Sequence, residues 1–331
     1  MRRWWKASLL GTVAVAAACS TARPATTGPQ AGSVPRTEFQ LQFASPGDHV
    51  HVMPTRANYA AAFAKPGGGG SGTGIFYHGG PIVYSPQIAT IYWASGTIYS
   101  GGPTPGTVGS GSQDLSLVGF FLRNLGPSPY WNINNTYTDG GSGRVANSLS
   151  YTQYWAANTN VPASGSSVSD AQVQAQIISA FTSGKLTFDA STIYAVFSGS
   201  GVNLGGGFGT QYCAYHGHFS WNGNDVKYAV MPYNIDFPSG CTAGSSPNGD
   251  AAADAEVNTL AHETEEFATD EDLNAWFDRR GYENADKCAW NFGTTYSTAG
   301  GPANMNLGGK DFLIQQNWLN ANSGGCRLSW P

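Results

Sequence analysis

The stretch DAAADAEVNTLAHETEEFAT, residues 250–269, decides how this chain is read. Val257, Leu260, Ala261 and Phe267 recur at helical spacing and give an apolar stripe. Asp250, Asp254 and Glu256 stand in the first turns, where the helix dipole favours negative charge. A helix is therefore expected from Asp250 to about Thr269. On it, His262 and Glu266 are four residues apart and share a face. Glu263 projects roughly 100° further round. An imidazole and a carboxylate so placed can share a zinc ion, with Glu263 poised as general base toward a water on that ion. This is the spacing of H-E-x-x-H zinc hydrolases, with Glu266 in place of the second His. The carboxylate lowers the positive charge of the site and makes other divalent ions acceptable. The competing reading is an acidic helix that faces water.

A zinc site needs a third protein ligand. Glu283 and Asp286 lie downstream at i, i+3 and can project together. Glu283 is the candidate third ligand, and Asp286 the acceptor that fixes the His262 ring, though these roles can be exchanged. Asp270 is a further candidate. Asp272 lies ten residues after His262, where some zinc proteases place a ligand, but Thr269 and Asp270 stand where a Gly normally permits the turn. Twelve of the 21 acidic residues fall between Asp250 and Asp286. Such crowding calls for a cation or for solvent.

Other histidines compete. His216 and His218 alternate on one face of an expected strand. His216, or Tyr215 beside it, could steady an oxyanion, and hydrogen-bonded structural histidines are the plainer reading. His78 reads as structural or at a cleft edge. His49 and His51 fall in a segment read as a tether and carry little weight.

The N-terminus reads as an export signal. Arg2, Arg3 and Lys6 precede a short apolar run from Ala7 to Ala18, too short to span a bilayer. Ala16-Ala17-Ala18-Cys19 offers either plain cleavage or a lipobox with lipid on Cys19. Four cysteines then remain, an even number that suits two disulfides in an exported chain. Three pairings are open, and loop-closure economy favours Cys213–Cys241 and Cys288–Cys326. A net charge of -5 with no basic patch beyond the N-terminus argues against nucleic acid.

Residues 20–72 are rich in Thr, Pro, Gly and Ala and read as a flexible tether. Beyond it, Ile75–Tyr84 and Gln87–Ala94 read as two strands or one bent strand, and further strands are expected at Val145–Ala156, Thr192–Ser198, Gln211–Trp221, Lys227–Tyr233 and Asp311–Gln316. Helices are expected at Leu115–Leu125 and from Asp170 to about Ser183. Asn222-Gly223-Asn224 signals a hairpin. The organisation is an export signal (1–19), a tether (20–72) and one α+β domain (73–331), with a mixed sheet, packed helices and a zincin-like active-site helix.

Phe76-Tyr77-His78-Gly79-Gly80-Pro81, Cys213-Ala214-Tyr215-His216 and Pro247-Asn248-Gly249-Asp250 resemble, in order and spacing, segments of the EXORDIUM-like, phosphate-induced protein family of plants. The resemblance runs from about residue 75 to 290. It implies an exported protein of the cell-wall space and carries no established catalytic activity. The helix departs from the plant pattern, which typically lacks the His-Glu pair. With Glu283 to Cys288 it resembles instead bacterial exported proteins with a metallopeptidase-like site. Two functions follow as expectations. One is a zinc-dependent hydrolase acting on a polypeptide or cell-wall substrate, touching a membrane only through a lipid on Cys19. The other is a non-catalytic extracellular binding or signalling module. A calcium-stabilised domain is a third reading of the acidic cluster.

Overall fold

The computed structural model describes residues 49–64 and 74–331. The export signal, Cys19 and the tether residues 20–48 and 65–72 lie outside the described residues. The central feature is a seven-stranded sheet. Its strands are β1 (His49–Pro54), β2 (Gln87–Trp93), β3 (Val108–Ser110), β4 (Ser150–Ala157), β5 (Thr192–Ser198), β6 (Tyr212–Trp221) and β7 (Asn224–Met231). They lie side by side as β1-β6-β7-β5-β2-β4-β3. The run β4-β2-β5-β7 is parallel. The pairs β3–β4, β6–β7 and β1–β6 are antiparallel.

The central strands are apolar nearly throughout, and every residue of β5 is buried. Strands buried on both faces need cover on both faces, and parallel neighbours need long crossovers. The helices α1 (Arg56–Ala64), α2 (Leu117–Leu125), α3 (Asp170–Thr182) and α4 (Ala251–Thr269) include that cover. Val118, Phe121 and Leu122 of α2 join Val257, Leu260 and Ala261 of α4 in one core. Val173, Ile177 and Ala180 of α3 join Ile91 and Val196 in a second core on the opposite face. The mixed sheet with packed helices is as expected. Its parallel centre and two-sided cover make the arrangement α/β in character, which corrects the α+β expectation. Hydrophobic period reveals a strand but not its direction.

Local signals are met in detail. Asn222 (φ 50°) and Gly223 (φ 77°) form the two-residue turn that opposes Trp221 to Asn224. Positive φ at both positions gives the turn the twist of its flanking strands. Ser116 caps α2 and Ser169 caps α3. The Asp250 side chain caps α4 by accepting from Ala253 N. Two expected strands shrink. Ile75–Tyr84 keeps only Phe76–Tyr77, paired with Trp276–Phe277. The late strand becomes Lys310–Phe312, paired with Met305–Leu307. Residues 49–64, read as tether, form β1 and α1 instead.

Both disulfides have the favoured pairing, Cys213–Cys241 and Cys288–Cys326. Such cross-links fit an oxidising, extracellular setting. Among the described residues no helix is long and apolar enough to cross a membrane.

Candidate metal centre

Helix α4 is buried along nearly its whole length, from Ala253 to Thr269. It is therefore not a solvated acidic face, and each of its carboxylates needs an account. Three are met by neutral donors. Asp254 accepts from Ser246 Oγ and Asn248 Nδ2, both at 2.7 Å. Glu256 accepts from Asn234 Nδ2 at 3.1 Å. Glu265 accepts from Asn317 Nδ2 at 2.5 Å. Glu263 and Glu266 instead face histidines.

Three further elements supply those partners. His216 lies on β6, and its Nδ1 is 2.9 Å from Glu263 Oε2 and 3.5 Å from Glu266 Oε2. His51 lies on β1 directly opposite His216 in the antiparallel register. Its Nε2 is 2.6 Å from Asp286 Oδ2, and its Nδ1 is 3.5 Å from Glu283 Oε1. Glu283 and Asp286 come from the segment after α4, held to that helix by the Asp286 N–H donating to Glu266 Oε1 at 3.0 Å. The disulfides pin both sides of this assembly, with Cys213 three residues before His216 and Cys288 two residues after Asp286.

Two sets of donor atoms approach within 4.8 Å of one another: His51, Glu266 and Asp286, and His216, Glu263 and Glu266. Glu266 belongs to both. Among the described residues, His216 Nε2, His262 Nε2, Glu263 Oε1, Glu266 Oε2 and Asp286 Oδ1 are buried here without a hydrogen-bond partner. Leaving one such atom unsatisfied costs about 1–3 kcal/mol, more when charged. Asp254 and Glu256 of the same helix are met at both oxygens, and Glu265 keeps one buried oxygen without a partner; what sets this corner apart is the imidazoles that face its carboxylates. Imidazole nitrogen with carboxylate oxygen is a donor set that suits zinc.

Electrostatics mark the same corner. Burial, with the charges of His51 and His262, pushes His216 well below its ordinary pKa. Burial, with the charges of Glu266 and Asp286 outweighing His262, raises Glu263 well above the usual carboxylate range. Burial and Asp286 raise Glu266. Burial works against Asp286 ionising, but His51 and His262 outweigh it and hold its pKa below the usual range.

Several expected roles are redistributed. Gln315 Nε2 lies 3.0 Å from His262 Nδ1 and donates to Ala285 O at 3.0 Å. Gln315 thus engages the Nδ1 edge of the ring and leaves Nε2 turned the other way. That Nε2 faces Glu266 Oε1 at 3.1 Å and Asp286 Oδ1 at 3.5 Å. Gln315 and Asp286 thus meet His262 at its two ring nitrogens, and Glu266 lies against the same Nε2. His262 Nε2 and Glu266 Oε1 lie together at 3.1 Å as the helical spacing implies, but His262 belongs to neither group of three. Glu263, expected as the base, stands with His216 and Glu266 in a group that could hold a metal ion. Glu283, expected as third ligand, lies outside both sets, 3.7 Å from His216 Nε2.

The remaining candidates belong elsewhere. Asp270 Oδ1 accepts from Ala275 N, which shapes the turn after α4. Asp272 pairs with Lys227, which also bonds Asp225 at 2.5 Å. His218 joins that cluster through Asp225 at 2.9 Å. Tyr215 donates to Asp170 at 2.8 Å, on the α3 side of the sheet. His78 stacks on Phe277 with ring centroids 3.7 Å apart.

Sequence reasoning missed His51 and Gln315. His51 had a signal in the alternation His49-Val50-His51-Val52, which repeats the spacing of His216 and His218. Val50 and Val52 pack against the α3-side core, leaving His51 for the other face. Gln315 had none, since a lone Gln in an apolar run announces nothing.

Residues 125–310, more than half of the chain, match the family described as phosphate-induced protein 1 conserved region. The chain belongs to this family. Protein EXORDIUM-like 3 of Arabidopsis thaliana is 26% identical over 184 residues, covering 50% of this chain and 53% of that protein. The match thus spans about half the length of this curated relative. No solved structure matches. The phosphate-induced protein 1 region contains His216, His262, Glu263, Glu266, Glu283 and Asp286, whereas His51 precedes it and Gln315 follows it.

Proposed function

We propose that this member of the phosphate-induced protein 1 family is an exported, divalent-metal-dependent hydrolase of the metallopeptidase type. The observation that carries the reading is the convergence of His51, His216, Glu263, Glu266 and Asp286, with buried donor atoms that have no hydrogen-bond partner among the described residues. Those residues would hold the ion, with zinc the best match to the donor set. A bound zinc ion supplies Lewis acidity and lowers the pKa of water. Glu283 is the proton acceptor in this reading, placed between the imidazoles of His51 and His216. His262 keeps Glu266 and Asp286 in position. His51, the most exposed of the three histidine side chains at 20%, marks the side from which an amide-bearing polypeptide or cell-wall substrate would approach. Arg2 to Cys19 supports export, and the residues before Cys19 support a surface lipoprotein.

Hydrolysis of a peptide and peptidoglycan panel by the purified chain, with and without chelator, tests the reading. Glu283→Gln should retain the metal and lose about 10²–10⁴-fold in rate. A Glu283→Gln protein as active as wild type would sink the assignment.

A second reading is a non-catalytic extracellular module with a structural cation. The complete burial of His262, Glu263 and Glu266 favours it. Stoichiometric metal that stabilises the fold, with no chelator-sensitive hydrolysis, would select it.

A further inference from the structure

The two ligand sets share one residue, and from this we infer a two-ion centre bridged by Glu266. The inference rests on metal binding as proposed above but not on hydrolysis. Glu266 offers its two oxygens in different directions. Oε1 takes the Asp286 N–H at 3.0 Å, lies 3.1 Å from His262 Nε2, and so faces the Asp286 side. Oε2 lies 3.5 Å from His216 Nδ1 and has no hydrogen bond. A carboxylate that presents one oxygen to each of two donor sets is placed to bridge two cations. Each set also has an imidazole and a carboxylate of its own: His51 with Asp286, and His216 with Glu263.

Charge decides between one ion and two. Glu263, Glu266, Asp286 and the adjoining buried Glu283 bring four negative charges when ionised, against one positive charge on a protonated His262. Among the described residues no Lys or Arg forms an ion pair with Glu263, Glu266 or Asp286. The neighbouring cluster of His218, Asp225 and Asp272 shows the alternative, because Lys227 already supplies its cation. One divalent ion leaves the bridged cluster anionic in a buried setting, where each uncompensated charge costs several kcal/mol. Two divalent ions remove that excess. The cross-strand pairing of β1 with β6 sets the His51 and His216 ring centroids 5.6 Å apart, so each set receives one imidazole. β1 therefore completes the centre.

Manganese titration of the metal-free, full-length chain tests this directly. Two equivalents should bind, and the electron paramagnetic resonance spectrum at saturation should be that of an exchange-coupled pair. His51→Ala and His216→Ala should each reduce the stoichiometry from two to one and restore the six-line signal of an isolated ion. Glu266→Gln should abolish the coupled spectrum. Saturation of wild type at one equivalent, or two equivalents that remain magnetically isolated, overturns the inference. Because the wild-type spectrum is decisive, a variant that fails to fold does not remove the test. Two coupled ions without hydrolysis would uphold this centre and refute the hydrolase. Hydrolysis with a single ion would do the reverse.

Discussion

Replacing Glu263 by Gln should make the metal-free protein more stable and the metal-loaded protein less so. Glu263 and Glu266 present oxygens within 4.8 Å of each other. At an effective dielectric of about 20, two unit charges at that separation repel by about 3 kcal/mol. Gln keeps the shape, can still meet His216 Nδ1, and removes one charge. In chelator, where no cation screens the pair, up to about 3 kcal/mol of repulsion is relieved. For a domain of this size that corresponds to a rise in melting temperature of up to about 6 °C. With metal the sign reverses, because a ligand is lost. Wild type gains about 2.7 kcal/mol when free metal is about 100 times its dissociation constant, and the variant gains less. The pH dependence supplies an internal check. Glu263 has its folded pKa raised, so the folded state holds that proton more tightly than the unfolded chain. Its contribution is then fully present below the unfolded carboxylate pKa and is lost as pH rises toward the folded value. Glu263→Gln should flatten this slope by about 1.4 kcal/mol per pH unit over that window. The assay is calorimetric melting of both proteins, with chelator and with zinc, from pH 5 to 8. A metal-free variant no more stable than metal-free wild type at pH 8 would refute carboxylate crowding as the origin of the site.

Two further outcomes follow from neighbouring groups. Gln315→Leu removes the donor at His262 Nδ1 and Ala285 O, and should weaken metal affinity by about 10–100-fold in a competition titration; unchanged affinity would remove His262 from its positioning role. Burial, only partly offset by Asn234 and Tyr99, pushes Glu256 up to about 8. Its contribution to stability is present below the unfolded carboxylate pKa and is lost as pH rises from about 4.5 to about 8. Glu256→Gln should therefore flatten that stretch of a urea-denaturation profile, and an unaltered slope would show that Glu256 is ionised in the fold.

Much of the fold was legible locally. The hairpin at Asn222-Gly223, the capped helices and the apolar strands are each written in neighbouring residues. Strand direction was not, because burial pattern is the same for a parallel and an antiparallel strand covered on both faces. Proline and glycine in Tyr77-His78-Gly79-Gly80-Pro81 cut short a strand that the apolar residues around them had promised. The alternation of His49-Val50-His51-Val52 carried a strand signal that the surrounding Gly- and Pro-rich composition masked.

By itself the sequence determined that His262, Glu263 and Glu266 sit close together on one helix, that Glu283 and Asp286 follow them, and that four cysteines pair economically. Helical spacing and chain proximity are local geometry, and they carry that far. Tertiary structure alone decided which of these side chains meet. It brought His51 to Asp286 across 235 positions by adding β1 to the sheet edge beside β6. It turned His262 toward Gln315 and gave Glu266 to two donor sets at once. Contacts of that kind depend on sheet order and on the packing of distant segments, and no spacing within the sequence encodes them.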